Sequence, residues 1–350
     1  MIKRVISSVL ALTVAFSLAG CGEEKEEVKK EAPATVTVGF SQIGAESDWR
    51  LASTASMQSA FNESTGYKLM MDDGQQKQEN QLKAMRKFVD SGVDYIVLDP
   101  ITETGWDATL QEASEANIPV IIVDRRVDVE NDDVYVAWIG SDFRLEGDRA
   151  CAWLEAYLAS IEYEDEVNIA HIQGTVGSSA QIGRTEALEE KADACGWNII
   201  AQEDADFVQA KGKEVMERML AEFGDTINVV YCENDSEALG AIEALKERGM
   251  RPGKHIQNGE VLVVSFDATR DGLLKTLSGE ITVDTECNPN YGAPTIRLIN
   301  SLQNGLPVEH DNYMEESQFS TVLTITEVRV DGKPYKVTHL NRDMLANRNY

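Results

Sequence analysis

Two short apolar runs set the fold class: Tyr95-Ile96-Val97-Leu98-Asp99-Pro100 and Val120-Ile121-Ile122-Val123-Asp124-Arg125. In each, four apolar residues stand directly before an acidic residue, and a longer amphipathic stretch separates the two runs. Continuous apolar runs of this length are typical of parallel strands that helices cover on both faces. Alternation of such strands with helical stretches is the pattern of βαβ units, so the sequence predicts an α/β protein with parallel sheets.

The same alternation extends over most of the chain and falls into two sets. Further strand candidates are residues 36–40 and 67–71 before these runs, and residues 167–172, 197–202, 229–232 and 261–266 after them. Because the two sets lie on either side of residues 135–142, they predict two similar lobes. Residues 281–284 and 319–325 then read as strands and residues 290–303 as a helix, which suggests that the chain crosses between the lobes more than once.

The N-terminal residues read as an export signal. Lys3 and Arg4 precede an apolar run that is too short for an ordinary membrane-spanning helix. Leu18-Ala19-Gly20-Cys21 then predicts cleavage after residue 20 and lipid attachment to Cys21, although an ordinary cleaved signal with an incidental cysteine is the alternative. Residues 21–35 are mostly charged and predict a flexible tether that holds the protein on the outer face of the cell membrane.

The composition excludes several functions. With 60 acidic against 32 basic residues and a formal charge of −28, the chain lacks the basic clusters that nucleic-acid binding requires. Its four histidines are scattered, and no CxxC spacing occurs, so neither a metal site nor a cofactor is predicted. The pairing of Cys151, Cys195, Cys232 and Cys287 stays open.

Polar residues follow the predicted strands, and they are the candidate ligand contacts. Because the carboxyl ends of parallel strands meet at one edge of a sheet, ligands of such sheets bind there. The candidates at these positions are Glu46, Ser47, Asp48, Arg50, Asp124, Arg125, Arg184, Asn234, Asp267 and Glu286, and two aromatic residues, Trp49 and Phe207, lie nearby in the sequence.

This set of side chains suits a sugar. Carboxylates accept protons from hydroxyl groups, Arg and Asn serve several oxygens, and an aromatic ring covers the apolar face of a sugar ring. For any one residue, a helix cap or a surface ion pair is an equally good explanation, so the argument depends on recurrence. After residues 229–232, Asn234 is expected to face the ligand while Asp235 or Ser236 caps the next helix.

Several longer motifs resemble the sugar-binding proteins of ABC transporters, in particular the ribose- and galactofuranose-binding group. The resemblance covers nearly all of the chain after the tether and is carried by residues 38–42, 47–50, 173–177 and 211–217 and by the Gln-rich stretch at 73–81. It implies two Rossmann-like lobes, joined by three crossovers near residues 140–142, 285–287 and 316–319. The lobes are expected to comprise residues 36–141 with 287–318, and 142–286 with 319–350.

The resemblance also implies a function and a site. Such a protein would be a monomer that closes around one monosaccharide, galactofuranose or a related aldose, and delivers it to the permease subunits of an ABC importer. Glu46 to Arg50, Asp124 and Arg125 would line one side of the cleft, with Arg184, Asn234, Asp267 and Glu286 on the other side and at the hinge, and Phe207 would stack on the ring. The chain departs from the family pattern at Asp48 and Asp99, which are expected to add carboxylates to the cleft.

Two other functions fit the same residues. A sugar sensor that presents its bound form to a membrane receptor would have an identical site. A glycoside hydrolase would need two of Asp124, Asp267 and Glu286 at catalytic separation, and nothing in the sequence marks one of them as an acid. A LacI-type repressor is excluded because the export signal stands where a DNA-binding domain would be.

Overall fold

The computed structural model describes residues 35–350. The predicted signal peptide, the lipidated Cys21 and residues 21–34 of the predicted tether lie outside the described residues. Within the described part, every helix is too short or too polar to cross a membrane.

Strands and helices alternate through the first part of the described chain. They are β1 (Val36–Gln42), α1 (Asp48–Ala60), β2 (Tyr67–Asp73), α2 (Gln78–Asp90), β3 (Tyr95–Leu98), α3 (Asp107–Glu115), β4 (Val120–Val123), β5 (Ala137–Gly140) and α4 (Phe143–Ser160). The alternation then repeats with β6 (Asn168–Gln173), α5 (Ser179–Cys195), β7 (Asn198–Asp204), α6 (Gln209–Phe223), β8 (Val229–Cys232), α7 (Asp235–Glu247), β9 (Arg251–Pro252), β10 (Glu260–Asp267), α8 (Arg270–Ser278) and β11 (Val283–Glu286). The last elements are α9 (Gly292–Gln303), β12 (Asp311–Tyr313), β13 (Gln318–Ser320), β14 (Glu327–Val330), β15 (Lys333–Lys336), β16 (Thr338–His339) and α10 (Arg342–Ala346).

The strands form two main sheets with the same internal order. The first runs β12-β5-β4-β3-β1-β2, with every pair parallel. The second runs β16-β13-β11-β10-β8-β6-β7, in which β13 is antiparallel to β11. In each sheet the strand order reverses at the first strand: the second strand lies on one side of it and the third strand on the other. The first and third strands of each sheet, β1 with β3 and β6 with β8, therefore flank the crevice where open α/β sheets bind ligands.

The core explains why these residues form strands. Every residue of β3, β4 and β8 is buried, because helices pack on both faces of each sheet. Hydrophobic clusters around Trp106 and Trp138 in the first lobe, and around Trp153 and Met216 in the second, fill the space between sheet and helices. The α/β class and the two-lobe fold that the sequence predicts are confirmed.

The chain passes between the lobes three times. The first passage follows β5 and leads into α4, the second follows β11 and leads into α9, and the third joins β12 to β13. Ser141, Cys287 and Glu316 lie in these three passages. The lobe boundaries inferred from the sequence stay a prediction.

Some predicted element bounds were wrong. The strand expected at 281–284 is Val283–Glu286, because Ile281 still donates its backbone N–H to Lys275 at the end of α8 and the sheet ladder begins two residues later. The extended run expected at 319–325 is limited to Gln318–Ser320. Strand β5 (Ala137–Gly140) was not predicted.

The tail after Thr326, to which the sequence assigns no role, forms part of the second lobe. Strands β14 and β15 form an antiparallel hairpin around Asp331 and Gly332. Val328 and Val337 from this segment are buried against α4 in the same hydrophobic cluster as Trp153. The hairpin therefore covers a helix face that would otherwise be open to water.

Candidate ligand-binding site

A cavity with an empty volume of about 290 Å³ lies between the two lobes, at the carboxyl ends of their strands. Residues from both lobes and from the second crossover bound it. The lining residues are Glu46, Ser47, Trp49, Arg50, Asp124, Arg125, Phe143, Ala180, Arg184, Phe207, Asn234, Asp267 and Cys287.

On the first lobe, Arg50 organises the wall of the cavity. Its guanidinium pairs with Glu46 at 2.8 Å, with Asp124 at 2.9 Å and with Asp99, which is buried behind it. Burial alone would lower the pKa of Arg50, but the three carboxylates outweigh burial and raise this pKa well above its usual value. Arg50 is therefore a fixed positive charge that holds the carboxylates of Glu46 and Asp124 in place at the cavity.

Arg125 is less fully paired than Arg50. Its only hydrogen bond within the described residues goes from Nη1 to the carbonyl oxygen of Ile101 at 2.8 Å, and its Nε lies 4.0 Å from Asp124. Burial and the neighbouring Arg50 lower the pKa of Arg125. A guanidinium has five N–H donors, so this side chain keeps several donors for another partner in the cavity.

On the second lobe, Arg184 has the corresponding role. Its Nε and Nη2 donate to one oxygen of Glu146 at 2.9 and 2.7 Å, and its Nη2 lies 3.6 Å from Asp267. The Asp267 carboxylate has no closer partner among the described residues. Burial raises the pKa of Asp267 well above its usual value, and Arg184 offsets this only in part. Asp267 is thus a buried carboxyl group with few partners, and a ligand hydroxyl can hydrogen-bond to it.

Asp124 and Asp267 occupy equivalent places in the two lobes. Asp124 follows β4 and Asp267 ends β10, and both have left-handed backbone conformations, with φ values of 62° and 98°. Such conformations cost roughly 1–3 kcal/mol in residues other than glycine and persist only where the surroundings hold them. The strain directs each carboxylate into the gap between the sheets.

Phe207 is held rigidly at the opposite wall. Its backbone is left-handed (φ 63°), its N–H donates to Glu237 at 2.9 Å, and its carbonyl oxygen accepts from Asn234 at 3.2 Å. A Cβ atom on Gly174 would lie 1.9 Å from the ring. The absence of a side chain at Gly174 therefore allows the ring to occupy its position.

Trp49 connects the first lobe to the second crossover. Its indole N–H donates to the carbonyl oxygen of Cys287 at 2.7 Å, and its ring meets Tyr291 edge to face at 6.1 Å. Arg50 lies over the indole at 4.7 Å. The ring is consequently fixed at the edge of the cavity nearest the hinge.

One carboxylate joins the three crossovers. Glu316 Oε1 accepts hydrogen bonds from the Ser141 hydroxyl and from the backbone N–H of Asn288 at 3.0 Å. Potential ligand atoms of Glu146, Cys287 and Glu316 lie within 4.8 Å of one another, a spacing that a metal ion could bridge. Because Arg184 already pairs with Glu146, and two donors already bind Glu316, this cluster is a hydrogen-bonded joint of the hinge.

Away from the hinge, the lobes touch across the mouth of the cleft. The Glu103 N–H donates to the carbonyl oxygen of Gly177 at 3.0 Å, and the Arg126 N–H donates to the Ser179 hydroxyl at 2.8 Å. These contacts join loops of the first lobe to the start of α5. The structure is therefore that of a closed clamp.

All but two of the site residues inferred from the sequence line this cavity. Asp48 is exposed in the first turn of α1, where its negative charge suits the helix N-terminus. Glu286 ends β11 and directs its carboxylate to Arg348, Tyr350 and the Ser317 N–H. Asp99, expected to add a carboxylate to the cleft, lies behind Arg50 instead. For the residues that do converge, contact with a ligand stays a prediction.

Sequence reasoning also misassigned a cap and missed three lining residues. Asn234 itself caps α7, accepting from Glu237 N–H at 2.8 Å, while its amide faces the Phe207 carbonyl. Neither Asp235 nor Ser236 is the cap. The missed residues are Phe143, Ala180 and Cys287. Phe143 directly follows the first predicted crossover and Cys287 is the last residue of the second, so their positions at the crossovers could have identified them.

Known proteins with similar sequences share this architecture. The family model of the periplasmic binding protein domain matches residues 38–305. The galactofuranose-binding protein YtfQ of Escherichia coli is 40% identical over 297 residues, which is 84% of this chain and 87% of that protein. The fructose import binding protein FruE of Bifidobacterium longum is 28% identical over 91% of this chain and 94% of its own length.

A solved structure agrees with these relatives. The crystal structure of a galactofuranose-binding protein has a TM-score of 0.75 and 38% identity, and it covers 81% of this chain and 94% of its own. The family that the sequence motifs resemble is thereby confirmed. The matched relatives are binding proteins and not enzymes, as expected from the sequence. The chain belongs to the periplasmic binding protein family, with the type I fold of its sugar-binding members.

Proposed function

We propose that this protein is an extracytoplasmic lipoprotein that captures one neutral monosaccharide in its furanose form and delivers it to an ABC importer. One observation carries the proposal: polar side chains from the two lobes, several of them held by buried ion pairs, line one gap between the lobes. Solved relatives support a furanose as the ligand. One, from Shewanella, is bound to L-arabinofuranose, and another, from Mycobacterium smegmatis, is in complex with β-D-fucofuranose.

The size of the gap favours a single sugar ring. Its empty volume of about 290 Å³ includes space that is open to solvent, so this value is an upper bound on the space that a ligand can fill. A monosaccharide fits that volume better than an oligosaccharide does.

The charges favour a neutral ligand. Three carboxyl groups (Glu46, Asp124 and Asp267) and three guanidinium groups (Arg50, Arg125 and Arg184) line the cavity. Asp99 and Glu146 pair with Arg50 and Arg184 from behind, so every guanidinium group already has a nearby acidic partner. A phosphorylated or acidic sugar would add an uncompensated charge at a buried site. Hydroxyl groups, which both donate and accept, match carboxylates and guanidinium groups side by side.

Calorimetric titration tests the ligand class. We expect one-site binding of an aldose with a substantial furanose fraction, and much weaker binding of methyl pyranosides, which cannot open to the furanose, and of sugar acids. Asp267→Asn is expected to weaken binding by about tenfold or more, since one of the two carboxyl oxygens that can accept from a ligand hydroxyl is replaced by an NH2 donor. Asp48→Asn, which changes an exposed carboxylate outside the cavity, is the matched control. Failure of every pentose and hexose to bind would reject the proposal.

The anchor has its own test. Cys21→Ser in the full-length protein is expected to release it from the membrane fraction and to abolish incorporation of labelled fatty acid. Cys195→Ser is the control, since Cys195 is far along the chain from the predicted cleavage site. Unchanged membrane association of Cys21→Ser would contradict the lipoprotein assignment.

A further inference from the structure

The last residues of the chain lie against the end of β10, where Asp267 faces the cavity. Arg348 Nε donates to the carbonyl oxygen of Ala268 at 2.7 Å, and its Nη2 lies 3.5 Å from the carbonyl oxygen of Asp267. The backbone N–H of Arg270 donates to the carbonyl oxygen of Tyr350 at 2.7 Å. A segment far from the site in sequence therefore contacts the turn that carries a candidate ligand contact.

The turn itself is strained. Asp267 and Ala268 both have left-handed backbones, with φ values of 98° and 52°. Acidic side chains in the core hold the backbone N–H groups that follow: Asp284 accepts from Ala268 N–H at 3.0 Å, and Asp235 accepts from Thr269 N–H at 2.7 Å. Arg348 holds the carbonyl groups of the same turn. The strained conformation is thus fixed from both sides.

Arg348 is itself anchored to the hinge. Its Nη1 donates to Glu286 Oε1 at 2.7 Å, and the Tyr350 hydroxyl donates to the same oxygen at 2.6 Å. The guanidinium lies over the Tyr350 ring at 3.9 Å. The other Glu286 oxygen accepts from the Ser317 N–H, in the third crossover, at 2.7 Å. The side chains of Arg348 and Glu286 are only 13% and 9% exposed, so this charged pair is largely removed from solvent screening.

The Asp267 side chain depends on this support. Its nearest charged partner, Arg184, is 3.6 Å away, beyond a good hydrogen bond. The direction of the carboxylate is therefore set mainly by the backbone of the turn. We propose that Arg348 is a positioning residue for the binding site: by joining the carbonyl groups of Asp267 and Ala268 to Glu286 at the hinge, it directs the Asp267 carboxylate into the cavity. This inference rests on the proposed sugar-binding function.

Arg348→Met tests the proposal, because it keeps most of the side-chain length and removes the guanidinium. We expect the dissociation constant for the sugar to rise about tenfold, as when a charge-assisted hydrogen bond is lost. When Arg348→Met is combined with Asp267→Asn, we expect it to raise the dissociation constant much less, because the side chain that Arg348 positions is already altered. Arg342→Met is the matched control, since Arg342 is exposed in α10 and makes no ion pair or hydrogen bond within residues 35–350.

The outcomes are distinguishable. If wild-type protein binds sugar but Arg348→Met binds it equally well, or if the losses from Arg348→Met and Asp267→Asn add fully, the positioning role is overturned and the contact is merely structural. If Arg348→Met does not fold, Glu286→Gln is measured in its place. We expect this change to raise the dissociation constant for the sugar about threefold, because it weakens the ion pair with Arg348. An unchanged affinity would overturn the positioning role. If wild-type protein binds no sugar, the proposed function fails and this inference fails with it.

Discussion

The guanidinium of Arg125 lies over the ring of Phe207, with its central carbon 5.1 Å from the ring centroid. Arg125 follows a strand of the first lobe and Phe207 a strand of the second, so this contact spans the gap between the lobes. A cation over an aromatic face is attracted by the ring quadrupole. The two walls of the site are thus coupled in the closed form, and sugar binding and closure should depend on the same ring.

Phe207→Ala is expected to raise the dissociation constant for the sugar by at least about tenfold, because a stacking surface and the contact with Arg125 are lost together. Calorimetric titration measures the change. Val176→Ala is the control, since Val176 lies in a neighbouring loop with 59% of its surface exposed. Equal affinity for Phe207→Ala and wild type would show that the ring does not contact the ligand.

Gly174→Ala is expected to weaken binding without altering any polar group. The added Cβ would lie 1.9 Å from the Phe207 ring, so the ring must move. Because both changes act through one side chain, Gly174→Ala should have little further effect in Phe207→Ala. Full additivity of the two losses in a double-mutant cycle would contradict this explanation.

Arg184→Met is expected to lower the free energy of unfolding by about 3–5 kcal/mol, since it leaves Glu146 and Asp267 without their buried counter-charge. Denaturant unfolding measures this loss. Arg144→Met provides the comparison, because the ion pairs of Arg144 are partly exposed and should contribute less than about 1 kcal/mol. Similar losses for the two variants would mean that the buried network does not stabilise the fold.

Glu316 gives a pH prediction. Burial and the nearby Glu146 carboxylate raise the pKa of Glu316 well above 4.5. The protonated form is therefore favoured in the folded state, and this contribution to stability is lost as the pH rises through the folded-state pKa. Glu316→Gln, which stays neutral and can still accept from Ser141 and Asn288, should be stabilised relative to wild type, increasingly so as the pH rises above 4.5, the usual pKa of glutamate.

Unfolding curves of wild type and Glu316→Gln across this pH range test the expectation. Glu315→Gln is the control, because Glu315 is the exposed neighbour of Glu316. A stability difference that does not change with pH would show that Glu316 has an ordinary pKa in the folded protein.

Much of the site could be predicted because, in this fold, the position directly after a strand indicates which side chains can reach the ligand. In parallel sheets, the residues that follow each strand meet at one edge, and Asp124, Arg125, Asn234 and Asp267 were found in this way. Asp48 could not be separated from Trp49 and Arg50 by this rule. Successive residues of a helix point about 100° apart, so its neighbours face the core while Asp48 faces water.

Glu286 shows a second limit of the sequence. It was assigned to the cleft from its position near a predicted crossover, but its strand begins two residues later than expected, and Glu286 is the last residue of that strand. Its partners, Arg348 and Tyr350, come from the end of the chain, where no periodicity connects them to the site. Contacts between such distant segments depend on tertiary packing, which a local pattern does not contain.

A crystal structure grown with an aldose that binds in solution would test the central claim most directly. The account predicts one sugar ring in the gap, against Phe207, with hydrogen bonds to groups of both lobes that include Arg125 and Asp267. A sugar bound to the outer surface, or to one lobe alone with the gap still filled by solvent, would contradict it.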